Sequence, residues 1–344
     1  MAVARVRMFD RHGDALGELE GTVGPVSWRL NRVGKATLAV AKTDPKATAT
    51  MLHLYNRVLI EFDNGLPDWG GVVIPPRQWT KDWIELTVLD GGERLHYRMT
   101  DHGRYFDGTV AGAISQRLIE EANAIAETGI VIDSVWAGGA ARYKDYHYDD
   151  LLNAIEVLTE QTGYDFAIRP VFEGGTLTWK ASWYEERGED RPNVVLIEGH
   201  NCMVAAFEEQ GPVINRWAGV GEGATWTEKL KTELADTDSQ NLYGLLESAQ
   251  VFPGVVNLNT LEENVAALLA ASKAPSPRLE LQAMNVAPAA FAAYDVGDRV
   301  RVQLHNYGFL GGRLGYDHAM RVLAREFDPG SGLCTLVVEE SEFS

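Results

Sequence analysis

The heptapeptide Trp83-Ile84-Glu85-Leu86-Thr87-Val88-Leu89 decides the fold class, because its central apolar residues alternate with polar ones. Side chains of a β-strand point alternately to opposite faces, so the pattern predicts a strand with one well-buried face. The segment is followed by Asp90-Gly91-Gly92, residues that tolerate the positive φ of tight turns. This stretch therefore indicates a β-rich protein.

The same combination of short strands and turn residues extends through residues 1–100. Asp63-Asn64-Gly65 is a second turn of this kind. Closely spaced strands with such turns are typical of an all-β sandwich or barrel. The strands are predicted at 3–9, 26–30, 36–40, 57–62, 71–74 and 83–89.

Residues 101–192 have a different pattern and predict a compact α+β module. Apolar residues at spacings of three and four predict helices over 110–125 and 150–162, and Gly163 suits the C-terminal cap of the second. A hairpin with its turn around 173–175 is predicted next. The polar run 185–192 is the best candidate for a linker, with a charged surface loop as the alternative.

Residues 193–344 are predicted to form a second β region. One helix interrupts it, with Thr260-x-x-Glu263 as a capping box at its start and two prolines, Pro275 and Pro277, beyond its end. The strands are predicted at 194–197, 203–208, 214–220, 278–286, 299–305, 320–327 and 333–339.

Composition and charge narrow the functional classes. With 344 residues, of which 45% are hydrophobic, the chain is expected to form two or three globular domains. A net charge of -18 argues against a surface that neutralises nucleic-acid phosphates. The sequence shows neither a signal peptide nor an apolar stretch near the ~20 residues that span a bilayer, so we expect folding in a cytosol.

The sequence carries no recognisable catalytic, cofactor or metal motif. Cys202 and Cys334 lie in separate apolar runs and are expected to be buried, and the eight histidines lack metal-binding spacings. In a dinucleotide-binding site the third glycine stands three residues after the second, within a βαβ unit. Gly219-x-Gly221-x-Gly223 has neither feature, so we expect a flexible loop after a strand. The prediction is a protein that is not an enzyme and binds no cofactor.

Two groups of residues are candidates for contacts with partners. The first group is a short, polar, loop-like run around Tyr143–Tyr148, whose tyrosines either contact a partner or simply pack the loop. The second group is the long polar stretch 221–239. The candidate residues are Tyr143, Tyr146 and Tyr148 in the first group and Trp226, Lys229 and Lys231 in the second.

The order of soft motifs in the second half supports a resemblance that covers nearly the whole chain. The motifs are Val213-Ile214-Asn215-Arg216-Trp217 before Gly219-Val220-Gly221, then 238–244, then the helix 261–272, and then Tyr294-x-x-Gly297-Asp298-x-Val300-x-Val302. With the β, α+β, β layout, this order resembles the tail-tip hub proteins of siphophages, a family of minor tail proteins related in fold to the hub of contractile baseplates.

The resemblance implies a mostly β fold in which two tube-like β-barrel domains, 1–100 and 193–344, flank a smaller α+β domain, 101–192. It also implies a homotrimeric ring that closes the distal tail tube, assembled in the host cytoplasm and located at the tip of the virion tail. The implied partners are the distal tail protein, the tape-measure protein and receptor-binding or other tip proteins, with DNA only in transit. No lytic domain is expected after the last strand.

Two other functional classes remain open from the residues alone. A carbohydrate-binding or cell-surface adhesion module would explain the β-rich pattern and the aromatic residues. A β-rich hydrolase would use two of the 49 acidic residues at a defined separation in space, which the sequence does not show.

Overall fold

The computed structural model describes residues 4–223, 225, 227–252, 255–310, 312–341 and 343. The chain forms two compact units, one comprising Met1–Ala206 with Glu280–Ser344 and the other comprising Phe207–Leu279. The mostly β fold with α+β elements is confirmed. Closure of the β regions into tube-like barrels and the domain division at residues 100 and 192 stay predictions.

The first β region follows the alternation seen in the sequence. Its strands are β1 (Ala4–Phe9), β2 (Ala15–Leu19), β3 (Gly21–Arg29), β4 (Lys35–Ala41), β5 (Arg57–Phe62), β6 (Trp69–Trp79) and β7 (Trp83–Asp90). In β7 the side chains of Ile84, Leu86 and Val88 are buried, whereas Trp83 and Glu85 are exposed. Trp83 is 42% exposed and lies on the solvent face, because the alternation places it opposite Ile84.

The α+β module follows the first β region. Its elements are β8 (His102–Val110), α1 (Ala111–Ile125), β9 (Ile130–Ser134), β10 (Ala141–His147), α2 (Leu151–Thr162), β11 (Asp165–Glu173) and β12 (Thr176–Tyr184). Its core packs apolar residues of both helices against the three-stranded sheet β11-β12-β9.

The local signals for this module are confirmed. The Asp150 carboxylate caps α2 by accepting a hydrogen bond from the Asn153 N–H, and Gly163 ends the helix at a φ of 73°. Gly174 and Gly175 both have positive φ and form the two-residue turn between β11 and β12.

The last region contains a second set of strands and two helices. They are β13 (Asp190–Ile197), β14 (Cys202–Gln210), β15 (Arg216–Val220), β16 (Lys231–Ala235), α3 (Thr237–Tyr243), β17 (Glu247–Val251), α4 (Leu258–Ser272), β18 (Ser276–Ala283), β19 (Arg299–Leu310), β20 (Arg313–Asp328) and β21 (Leu333–Glu340). Both cysteines are buried as free thiols, as the apolar runs predicted.

Thirteen of the described strands form one sheet. Their order is β14-β18-β21-β20-β3-β4-β7-β6-β5-β1-β2, with β19 on β20 and β13 on β19. Residues Val26–Arg29 of β3 pair antiparallel with Ala324–Phe327 of β20. The first and last β regions therefore share one continuous hydrogen-bonded sheet.

The start of α4 differs from the prediction. The Asn257 side chain, and not Thr260, accepts the capping hydrogen bond, from the Asn259 N–H at 2.9 Å. Asparagine is at least as good an N-cap as threonine, so the earlier cap extends the helix by three residues.

The glycine-rich run has a packing role in the unit Phe207–Leu279. Gly219 lies inside β15, where a Cβ atom would stand 2.3 Å from Cγ2 of Val265 in α4. The first glycine therefore permits close contact between the helix and the sheet β16-β15-β17, and it is not part of a flexible loop.

The predicted linker is an ordered connection fixed to neighbouring elements. The Arg187 N–H donates to Oδ2 of the buried Asp165 at 2.7 Å, and the Asn31 side chain donates to Oδ1 at 2.7 Å. The Arg321 guanidinium of β20 forms an ion pair with the same carboxylate. Asp165 therefore joins residues from all three predicted domains.

Candidate interaction surfaces

The first candidate surface lies on the two-stranded sheet formed by β8 and β10. The run that contains Tyr143, Tyr146 and Tyr148 was predicted to be loop-like, but most of it lies in β10 and pairs with β8, for example Tyr146 with Arg104. The strand was not recognised because Arg142, Lys144 and Asp145 leave it without an apolar alternation, so only the pairing with the distant β8 defines it.

One face of this sheet belongs to the core. Tyr146 is 7% exposed and packs edge-to-face against Phe106, with their ring centroids 6.1 Å apart. The guanidinium of Arg104 lies 4.4 Å from the Phe106 ring centroid. Tyr146, an interface candidate from the sequence, therefore contributes to packing inside the chain.

Other aromatic and histidine rings on β8, on β10 and at Tyr148 just after β10 are exposed. Tyr105, Tyr143 and Tyr148 are 55%, 50% and 61% exposed, and the ring of His102 stacks on Tyr148 at 5.2 Å and contacts His147 at 5.2 Å. We call these five residues the aromatic face. Tyr105 and His102 were not singled out from the sequence, because only the pairing of β8 with β10 brings them beside the tyrosines.

The second group of candidates lies in the unit Phe207–Leu279. Trp226 is outside the described residues. Lys229 is half-buried before β16, and Lys231 is exposed at the first position of that strand. The stretch 221–239 contains β16 and the start of α3, so it is shorter as a loop than its sequence suggested.

A further exposed apolar surface is the tip of the hairpin formed by β19 and β20. Phe309, Leu310 and Leu314 are 76%, 51% and 63% exposed. Leu310 pairs with Arg313 at the last position of the ladder, so these side chains stand at the end of a two-stranded arm. Clustered apolar side chains in water are typical of surfaces that are covered by a partner.

The described residues show no cluster suited to bind a metal ion, and the shifted pKa values of Asp90 and Cys202 follow from their burial. No three or more His, Cys, Asp or Glu side chains in the described ranges are grouped to hold a metal ion. Burial raises the pKa of Asp90 to about 7, but its two oxygens accept hydrogen bonds from the N–H groups of Gly34 and Gly92. Burial raises the pKa of the Cys202 thiol to about 12, which makes it unreactive.

Comparison with known proteins was informative only at the level of structure. No protein-family model matches the sequence. No curated protein matches it significantly.

Solved structures match over almost the entire chain. The 43 kDa tail protein of prophage MuSo2 from Shewanella oneidensis aligns with a TM-score of 0.66 at 13% identity, covering 98% of both chains. The chain has the fold of a phage tail protein. The same fold is found in the prophage tail protein gp18 of Listeria monocytogenes, with a TM-score of 0.66, 11% identity and coverage of 99% and 95%.

A third tail protein, from Neisseria meningitidis, aligns with a TM-score of 0.65 and 12% identity over 99% of this chain and 97% of that chain. The resemblance drawn from the sequence is thereby confirmed at the level of the fold. In the described part of this chain, no helix is long and apolar enough to cross a membrane.

Proposed function

We propose that this chain is a structural subunit at the tip of a phage-type tail, and that it is not an enzyme. The observation that carries the proposal is the alignment with prophage tail proteins over 98% or more of this chain, at TM-scores of 0.65 to 0.66. The likeness extends over the whole chain and not over one module, so nearly every region of this chain has a counterpart in those tail proteins.

The subunit forms a homotrimeric ring that continues and closes the distal tail tube. Large heterologous contacts are needed to close such a ring, and exposed apolar side chains are suited to form them. The hairpin tip with Phe309, Leu310 and Leu314 supplies such side chains at the end of an arm. The arm reaches a neighbouring subunit, where its apolar residues become buried.

The ring anchors other tail proteins and lets DNA pass. The distal tail protein, the tape-measure protein and receptor-binding or other tip proteins are the partners of this role, which places the chain in the virion tail after assembly in the host cytoplasm. The net charge of -18 favours transit because an acidic surface repels phosphates.

Native mass spectrometry and cryo-electron microscopy of the purified chain test the ring. The expected species has about three times the 37.9 kDa mass of one chain and a threefold ring shape. Replacing both Phe309 and Leu314 by serine should shift the trimer to monomers, whereas the matched control Ile125→Ser, at a side chain 80% exposed on α1, should leave it intact. Monomers alone at every concentration, with no ring in the images, would contradict the proposal.

The aromatic face favours one second candidate function, recognition of a cell-surface glycan. Flat tyrosine rings stack on sugar rings, and Tyr105 and Tyr143 are both half or more exposed on this face. Binding on a glycan array that disappears in Tyr105→Ala and Tyr143→Ala variants would support the glycan function. An array without signal would exclude it for the glycans tested.

A further inference from the structure

Four arginine side chains line one cleft of about 410 Å³ in the unit that contains the first β region and the α+β module. The cleft lies beside the connection between β1 and β2, the start of β5 and the connection after α1. We call it the arginine cleft. Its arginines are Arg11, Arg57, Arg94 and Arg98.

The charge of the arginine cleft is not neutralised by ion pairs. The chain has 49 acidic and 31 basic residues, and most arginines outside the cleft, such as Arg216 and Arg299, form ion pairs. None of the four cleft arginines does so within the described ranges. Two acidic residues, Glu93 and Glu127, also line the cleft, so arginines exceed carboxylates by two.

Two of the arginines hold the backbone around the cleft. Arg57 is 1% exposed, donates from Nε to the Arg11 carbonyl at 3.2 Å, and lies 5.0 Å from the Trp179 ring centroid. Arg98 donates to the Ala126 carbonyl at 2.6 Å, just after the end of α1. These contacts are to neutral groups, so both positive charges still act on the cleft.

The other two arginines have donors available for a ligand. The half-buried Arg94 has one hydrogen-bond partner among the described residues, the Arg11 carbonyl at 3.4 Å. The Arg11 Nε donates to Nε2 of His12 at 3.0 Å, which leaves its terminal nitrogens accessible on an exposed side chain. Burial lowers the pKa of Arg94, while the Glu127 carboxylate acts against this shift and the Arg98 charge adds to it.

The rest of the wall is aromatic and apolar. Tyr55 and Tyr97 meet edge-to-face with ring centroids 5.7 Å apart, and Val72 and Ile74 also line the cleft. Both tyrosines are exposed at its rim, so a ligand can extend beyond the cavity.

We propose that the arginine cleft binds a short acidic peptide segment of a partner protein, with a carboxylate on Arg94 and Arg11 and an apolar side chain against Tyr55 and Tyr97. Guanidinium groups bind carboxylates through paired, charge-assisted hydrogen bonds. A charge excess of two suits one or two carboxylates, whereas a nucleic acid would meet repulsion from a chain of net charge -18. The site is complete within one chain and goes beyond the role in the tail ring.

Fluorescence polarisation with a labelled peptide of alternating Glu and Phe tests the site on the full chain. The wild type should bind it and should not bind the matched peptide in which Gln replaces Glu. The double variant Arg11→Gln/Arg94→Gln should bind at least about tenfold more weakly, because it removes both guanidinium groups that would hold the carboxylate. The control Arg117→Gln, at an ion-paired arginine on α1, should bind as the wild type does.

A gain-of-affinity variant keeps the test independent of misfolding. Glu127→Gln removes an exposed acid from the cleft and should tighten binding of the Glu–Phe peptide about two- to threefold. Equal binding of the Glu and Gln peptides, no binding by the wild type, or an unchanged affinity in Glu127→Gln would overturn the proposal. Complete displacement of the peptide by inorganic phosphate would assign the cleft to small anions instead.

Discussion

Replacing Asp165 by alanine should destabilise the protein more than any comparable change at its surface. Asp165 is 2% exposed, and its carboxylate accepts hydrogen bonds from Asn31, from the Arg187 N–H and from Arg321. Removing one partner of a buried ion pair costs about 3–5 kcal/mol, because the other charge stays buried without compensation.

The structure places this variant at the lower end of that range. In the variant, Arg321 keeps an ion pair with Glu186 at 3.4 Å and a hydrogen bond to the Arg187 carbonyl at 2.9 Å, so its positive charge remains partly compensated. The Asn31 and Arg187 donors lose their acceptor at a buried position, which adds to the loss. We therefore expect Asp165→Ala to lower the free energy of unfolding by about 3 kcal/mol.

Urea denaturation at neutral pH, followed by tryptophan fluorescence, measures this loss. The matched control Asp107→Ala, at an exposed position of β8, should change the free energy of unfolding by less than about 0.5 kcal/mol. A double-mutant cycle of Asp165→Ala with Arg321→Ala should give a coupling energy of at least about 1 kcal/mol. A loss below ~1 kcal/mol together with no coupling would refute the role assigned to this junction.

Three further changes test the packing, capping and ionisation of other elements. Leu158→Ala in α2 removes a fully buried side chain and should lower the free energy of unfolding by about 2–5 kcal/mol. The control Ile125→Ala, at an exposed side chain, should lower it by less than ~0.5 kcal/mol. Equal losses of the two variants in thermal denaturation would contradict the assigned core. Asn257→Ala should cost about 1 kcal/mol and Thr260→Ala much less, and the reverse order would restore the cap predicted from the sequence. Burial raises the pKa of Asp90 to about 7 in the folded state, so the stability that this group contributes is fully present below its unfolded pKa and is lost as the pH rises through 7. The melting temperature of Asp90→Asn should therefore fall less between pH 5 and pH 8 than the melting temperature of the wild type. Parallel melting profiles of the two proteins would argue against the raised pKa.

The candidate sites differ in how far the sequence could predict them. Tyr143 and Tyr148 were identified from their own cluster of aromatic residues, and both are exposed on the aromatic face. Tyr146 has the same residue type in the same run, but the alternation of β10 turns it into the core. No sequence pattern indicated the arginine cleft, because Arg11 and Arg94 are 83 residues apart and neither lies in a run of basic residues.

The sequence by itself determined the features that depend on neighbouring residues. The alternation of 83–89 set the buried face of β7, and the Asp150 and Gly163 caps set the ends of α2, because a strand face and a helix end are decided within a few positions. Tertiary structure alone decided the contacts between distant segments. The pairing of β3 with β20 and the ion pair of Asp165 with Arg321, 156 residues apart, arise only when the chain folds, since their free energy comes from burying groups together that the sequence keeps separate.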